Sequence, residues 1–462
     1  MDRVRLDFGN MMAPRVEGGV SPDKLSGALT EAFALAHEAV EASRAEGRFG
    51  FLDLPYAGDS VGQVSELADG FGQWFEDVVV LGIGGSGLGA KALRDALLGP
   101  FWNQRSDEER DHFPRLHIVD NPDPMTFDRL LTQVDPARTL FNVVSKSGST
   151  AETMAQYLVA RERVEQAVGE EKARGHFLFT TDPVEGALRQ IGDAEGIPML
   201  PVPPSVGGRF SVLSAVGLLP AAICGIDLAA LLAGAASMDR RCRNGSLRDN
   251  PAGVIATLLH HADVEQGRSI HVLMPYADRL YSFAMWFQQL WAESLGKMHG
   301  LDGSYRPSGP TPLAALGVTD QHSLLQLLME GPQDKVVLFI DLEDPGVDVS
   351  VPTRHPEIPA LSYLGGHTLG ELIATERTAT AEALRRAGRP NGTLSVAKVT
   401  EETMGELLML FEIATVYAGA LYGVDPLDQP GVELGKRLTY GLMGREGAER
   451  PAILEPDPQW VI

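Results

Sequence analysis

From Asp77 onward the chain alternates short apolar runs with longer segments of helical periodicity. VVVLGI (78–83), LHIV (116–119), TLFNVV (139–144), HFLFTT (176–181) and MLPV (199–202) are rich in β-branched and aromatic residues and bounded by turn formers. Runs apolar on both faces, with helices between them, predict strands of a parallel sheet covered on each side. A second set follows: SIHVLM (269–274), KVVLFIDL (335–342), a short piece near Leu361 to Leu364, and LSVAKV (394–399). Between the sets, a helical connector over 227–243 runs into the turn-prone NGSLRDNP (244–251), where a domain boundary is expected. Ahead of both, Leu25, Leu29, Phe33, Leu35, Ala36 and Val40 recur near helical spacing. The layout predicted is α/β: a helical N-terminal arm (1–50), one parallel-sheet domain (51–243), a second (244–425) and a C-terminal arm (426–462).

Composition narrows the partners. At 462 residues the chain is too long for one ordinary core. Its 62 acidic against 39 basic side chains give a formal charge of −23, which argues against nucleic acid. A small anion is still allowed, because salt confines surface charge effects to about 8 Å and a few local cations dominate a pocket. Two cysteines, Cys224 and Cys242, are too few for a disulfide framework or a thiolate metal site. With no leader-like apolar stretch in MDRVRLDFGN, a cytoplasmic setting is expected. The most membrane-like stretch, 214–238, is divided by Pro220 and Asp227 into pieces too short to span a bilayer, and it reads as two buried helices.

Two loops have the chemistry of anion cups. VVVLGI runs into GGSGLGAKAL, so Gly82, Gly84, Gly85 and Gly87 lie between a strand end and a helix start, where backbone amides are unpaired. The spacing also satisfies GxGxxG, and with Asp120 at the next strand end a dinucleotide site is a rival. A second loop, SKSGST, follows TLFNVV: Ser145, Ser147, Ser149 and Thr150 offer hydroxyls and Lys146 a charge at another helix start. Two such loops fit a phosphate, whereas a dinucleotide needs only the first. The bland alternative for SKSGST is a serine-rich cap with an exposed lysine.

A third signal lies in DRLYSFAMWFQQLWAESLGKM (278–298), apolar around most of its helical circumference but with a narrow stripe of Asp278, Ser282, Gln289 and Glu293. A carboxylate there needs a partner or a cleft, and in a cleft it suits general-base work. Its alternative is an ion pair with Lys297. GGRFS (207–211) presents Arg209 on a tight turn, suited to clamping an oxyanion. TDQHS (319–323) puts His322 at a helix start, and QPGVELGK (429–436) puts Lys436 behind a Pro-Gly turn; taken singly, either is more simply structural. Lysine is scarce, yet Lys91, Lys146, Lys297 and Lys436 all lie in or beside these motifs.

GIGGSGLG, SKSGSTAET, GGRFSVLSAVGL, QQLWAESLGK, TDQHSLLQL and QPGVELGK, in this order, closely resemble the glucose-6-phosphate isomerase family in its shorter bacterial form. The resemblance implies two sugar isomerase (SIS) domains, a C-terminal helical arm, and an active site completed across a homodimer. It implies aldose-ketose isomerisation through ring opening and a cis-enediolate, in glycolysis and gluconeogenesis, with no cofactor and no metal. By residue, it makes Glu293 the base that moves the proton between C2 and C1, Arg209 the enediolate stabiliser, His322 the ring opener supplied by the neighbouring subunit, and Lys436 its assistant. Ser145, Lys146, Ser147 and Thr150 become the phosphate cup, and Gly85, Ser86, Gln289 and Gln429 substrate contacts. Ser149 and Pro430 depart from the family's usual residues. A sensor that binds a sugar phosphate without chemistry is the alternative. No nucleic acid or membrane partner is implied.

Overall fold

The computed structural model describes residues 4–72 and 74–462. Strand β1 (Val4–Asp7) comes first, and helical turns from Pro22 lead into the Thr30–Ala45 helix. Leu25, Leu29, Phe33, Ala36 and Val40 are buried as the periodicity predicts, but Leu35 faces outward at 70% exposure. The first sheet contains β2 (Asp77–Leu81), β3 (Arg115–Val119), β4 (Thr139–Ser145), β5 (Phe177–Thr181) and β6 (Met199–Pro201). All are parallel, in the order β3-β2-β4-β5-β6. Farther along come β7 (Ile270–Pro275), an antiparallel ribbon of β8 (Lys297–His299) and β9 (Tyr305–Ser308), then β10 (Thr311–Ala314), β11 (Lys335–Asp344) and β12 (Asn391–Lys398). The second sheet runs β1-β12-β11-β7-β10, parallel except for β1.

Strand alternation explains why these runs are apolar throughout. Val78 and Val80 of β2 enter a core shared with the second sheet through Leu273, Leu338 and Leu394. Val79 and Leu81 enter a separate core with Phe141, Tyr157 and Phe179. Between the sheets runs the Glu401–Tyr422 helix, buried on nearly every side, with Phe411 edge-on to Phe283 and Phe287. It is the one described helix long and apolar enough to cross a membrane, and 89% of that window is buried inside the protein. The 214–238 stretch forms two buried helices, Ala215–Ile223 and Leu228–Cys242. Asp239 on the second of these accepts both arms of Arg44 (2.6 and 3.0 Å), Arg243 and the Tyr56 hydroxyl (2.7 Å), which ties the N-terminal helix to this layer. Cys224 and Cys242 are fully buried, and burial pushes their thiols up to about 12, which disfavours the thiolate.

Three expectations change. The piece near Leu361 to Leu364 is not a strand: Pro359, whose fixed φ favours the first turn of a helix, starts a short helix at Pro359–Ser362. The N-terminal arm is not wholly helical, since β1 closes the edge of the second sheet. The C-terminal arm is helical only at a single turn over 430–432, the Glu433–Leu442 helix and a turn at Pro458–Trp460.

Candidate active site

In both sheets the second strand of the unit lies on one side of the first and the third on the other, so a topological switch point falls between β2 and β4 and another between β7 and β11. Ligands of open α/β sheets sit beyond the strand ends at such points. The Gly82–Gly87 loop leaves β2 and the Ser145–Thr150 loop leaves β4, side by side at the first switch.

The glycine loop is held by close backbone approach. Gly84 adopts φ +57°, and a side chain at Gly85 would fall 2.3 Å from the Gly208 carbonyl and 2.6 Å from the Arg209 nitrogen. Gly84 lies against the Gln289 amide, so that a Cβ there would meet Nε2 at 3.0 Å. Asp120, the acid required by the dinucleotide rival, is occupied instead by Lys91 at 3.1 Å.

In the second loop the hydroxyls converge: Ser145 Oγ lies 2.9 Å from Thr150 Oγ1, and Ser147 Oγ lies 3.4 Å from the same atom. Thr150 caps the Ala151–Val168 helix without a side-chain bond to it, which leaves its hydroxyl to the cup. Lys146 does not point into the cup. Its ammonium donates to the carbonyls of Pro204 and Val206, both at 2.8 Å, and burial lowers its proton affinity. It fastens the cup to the segment leading to Arg209, so neither the exposed-lysine reading nor a direct charge in the cup describes this side chain.

Arg209 is the most heavily constrained cation here, with a side chain 3% exposed. Nε donates to Ser294 Oγ (2.7 Å), Nη1 to Gln429 Oε1 (3.0 Å), and Nη2 to the carbonyls of Pro426 and Asp428. Those bonds engage four of its five donors and leave one on Nη1. Nη1 also faces Glu293 Oε1 at 3.5 Å. Burial lowers the pKa of this guanidinium, but arginine stays charged. Glu293 sits near the end of the Tyr281–Leu295 helix and accepts from Gln289, one turn earlier, at 3.1 Å. Its predicted alternative fails: Lys297 turns away from the carboxylate to the carbonyls of Glu293 (2.8 Å) and Ser294 (2.9 Å). Of the remaining stripe, Ser282 is bonded to Asp95 and Asp278 is exposed.

Gly85, Arg209, Gln289, Glu293 and Gln429 thus form one connected cluster beside the hydroxyl cup, with Ser86 next to Gly85 in the glycine loop. His322 and Lys436 do not join it within this chain. His322 ends a turn at Thr319–His322, exposed and without a hydrogen bond or ion pair among the described residues. Lys436 lies on the exposed Glu433–Leu442 helix and pairs with Glu433 at 2.8 Å. Ser294 was not foreseen; the signal in the sequence was a hydroxyl directly after Glu293 on a mostly apolar helix, and in the structure that side chain is fully buried.

A doubly wound fold, a glycine loop and a hydroxyl-lined helix start at its first switch point, and a carboxylate facing a buried guanidinium together suit an enzyme of small phosphorylated molecules. Comparison with known proteins makes the assignment narrower. The family model described as phosphoglucose isomerase matches residues 63–355 and 363–449. A glucose-6-phosphate isomerase of Rubrobacter xylanophilus is 45% identical over 97% of this chain and 99% of its own. Among solved structures, a hypothetical protein from Thermus thermophilus is similar with TM-score 0.84 and 38% identity, covering 96% of this chain and 100% of that one. A glucose-6-phosphate isomerase of Chlamydia trachomatis is similar with TM-score 0.74 and 25% identity, covering 93% of this chain and 80% of that one. The chain belongs to the phosphoglucose isomerase family.

Proposed function

We propose that this protein reversibly interconverts D-glucose 6-phosphate and D-fructose 6-phosphate. The observation that carries the reading is the Glu293 carboxylate facing Arg209 at 3.5 Å, with Gln289 joining it to the glycine loop. Ser145, Ser147 and Thr150 hold the phosphate, and the helix start behind them favours its charge. Anchoring the far end of the sugar keeps C1 and C2 in register at the carboxylate, so binding supplies orientation. With the ring open, Glu293 takes the proton from C2 of the aldose as the C1 carbonyl gains negative charge, giving a cis-enediolate. The remaining Nη1 donor of Arg209, on a side chain 3% exposed, stabilises that charge. The hydroxyl proton on O2 then passes to O1 as Glu293 returns its proton to C1, so that C2 becomes the carbonyl of the ketose. The base, the stabiliser and the phosphate anchor are all supplied by side chains.

The active unit in this proposal is a homodimer, with His322 of a second copy opening the sugar ring and Lys436 assisting. The exposure of both side chains, apart from the Arg209 cluster, supports that assignment. Glu293→Gln and His322→Ala chains, each inactive alone, are expected to regain activity when co-refolded, because one of the two sites in a mixed dimer carries both native groups. Failure to complement puts His322 back in its own chain's site. For the reaction itself, fructose 6-phosphate incubated with the protein in deuterium oxide is expected to yield glucose 6-phosphate labelled at C2. A sugar-phosphate sensor would give neither product nor label.

A further inference from the structure

Lys297 is the buried lysine that this reaction leaves unused. The chain turns at Gly296 after the helix ends at Leu295, and the Lys297 side chain folds back over the last helical turn. Its ammonium donates to the Glu293 and Ser294 carbonyls at 2.8 and 2.9 Å and lies 3.5 Å from Asp428 Oδ1. The lysine side chain is 5% exposed and that of Asp428 54%. Stability alone is a poor reason for a cation here. Burial, and after it the nearby charge of Arg209, both lower its proton affinity, and an apolar residue in such a place is often no worse for folding. An apolar residue, however, has no donors to link two chain segments. Asp428 accepts Arg209 Nη2 through its carbonyl at 3.1 Å, and Ser294 Oγ accepts Arg209 Nε at 2.7 Å. A closed ring of contacts therefore runs from Arg209 to Ser294, Lys297, Asp428 and back.

We propose that Lys297 and Asp428 are a positioning pair: the ammonium clamps the final turn of the Glu293 helix to the 426–429 segment that holds Arg209 and carries Gln429, fixing the spacing between carboxylate and guanidinium at which the proton is moved. The pair touches no substrate, and the proposal rests on the assignment of Glu293 and Arg209 above. It extends that assignment by making part of the rate depend on the clamp, separately from phosphate binding.

The test is steady-state kinetics with fructose 6-phosphate on Lys297→Met, Lys297→Gln, Asp428→Asn and the Gln/Asn double variant, with Glu293→Gln alongside and thermal melts as a check of folding. Lys297→Met removes donors and charge; Lys297→Gln keeps donors without charge, and carries the test if the methionine variant does not fold. The expected result is a kcat lower by on the order of 10- to 100-fold in Lys297→Met, with KM within about threefold of the parent because the phosphate cup is untouched. Lys297→Gln and Asp428→Asn should each lose less, and their double variant no more than the worse single, since both remove one shared ion pair. Parental kcat in both folded Lys297 variants beside an inactive Glu293→Gln overturns the proposal alone. So does a loss confined to KM, or losses that add in the double variant. An active Glu293→Gln overturns the proton-transfer assignment, and the clamp with it.

Discussion

At the first sheet's switch point, β2 and β4 end in the glycine loop and the hydroxyl loop. At the second, β7 and β11 end in residues 276–280 and Pro345, and Arg279 donates across the gap to the Pro345 carbonyl at 3.1 Å. The strand order around the two points is the same. Topology thus brings loop ends together in both sheets, but only the first has small residues and hydroxyls there to receive an anion; in the second, Arg279 and the Pro345 carbonyl tie the two loop ends to each other. The second unit contributes elsewhere. The helix after β7 carries Gln289 and Glu293 to the loops of the first, through the contact with Gly84. A fold offers positions, and the residues at them decide which become a site.

Substitutions on the two sides of this comparison should therefore differ steeply. Glu293→Gln is expected to lower kcat by about 10²- to 10⁴-fold with KM little changed, measured by coupled assay; near-parental turnover would remove the second unit's part in the chemistry. Gly85→Ala places a methyl 2.3 Å from the Gly208 carbonyl and moves the Arg209 turn, so kcat/KM should fall on the order of 100-fold. Thr150→Ala removes one hydroxyl from the cup and should raise KM for fructose 6-phosphate by about tenfold while sparing kcat. An unchanged KM would place the phosphate elsewhere.

The helix between the sheets gives a control, because it holds a glutamate with no cleft. Glu412 is fully buried, neither carboxyl oxygen has a partner among the described residues, and burial raises its pKa well above 4.5. The folded protein keeps this proton while the unfolded chain releases it near the ordinary value, so its contribution to stability falls as pH rises above about 4.5. Glu412→Gln should melt like the parent at pH 4 and be more stable by roughly 1–3 kcal/mol at pH 7, as followed by denaturant titration. No pH dependence of that difference would mean that the carboxyl finds a partner. The smallest effect is expected at the second switch point: Arg279→Ala should leave kcat/KM within about twofold of the parent, and a larger loss would show that this point is not idle.

The buried parallel strands were legible because both of their faces enter cores, so an apolar run marks each one to within two residues, except that β12 begins at Asn391, three residues before its predicted run. β8, β9 and β10 were not. They are short, β9 is largely exposed, and prolines at 307 and 312 argue against strands in a sequence reading. β1 is invisible locally because the strand it pairs with lies far along the chain. In the site, Gln289 and Glu293 were readable from their four-residue spacing, and the glycine turns marked Arg209 and Gly85. Side-chain direction was not readable: Lys146, Lys297 and Lys436 share a residue type and lie in motifs, yet two bind backbone carbonyls and one pairs with a surface glutamate. The separation of His322 from the cluster likewise depends on chain packing, which no local pattern encodes.

The placement of β1 bears on how the molecule is made. Val4 pairs with Val396, about 390 residues later, so a segment translated early waits for one of the last strands to emerge before its ladder can form. Until then the outer side of β12 presents unpaired amides and carbonyls, an invitation to the wrong chain. Trimming those few leading residues should therefore harm soluble yield more than it harms catalysis by the molecules that do fold.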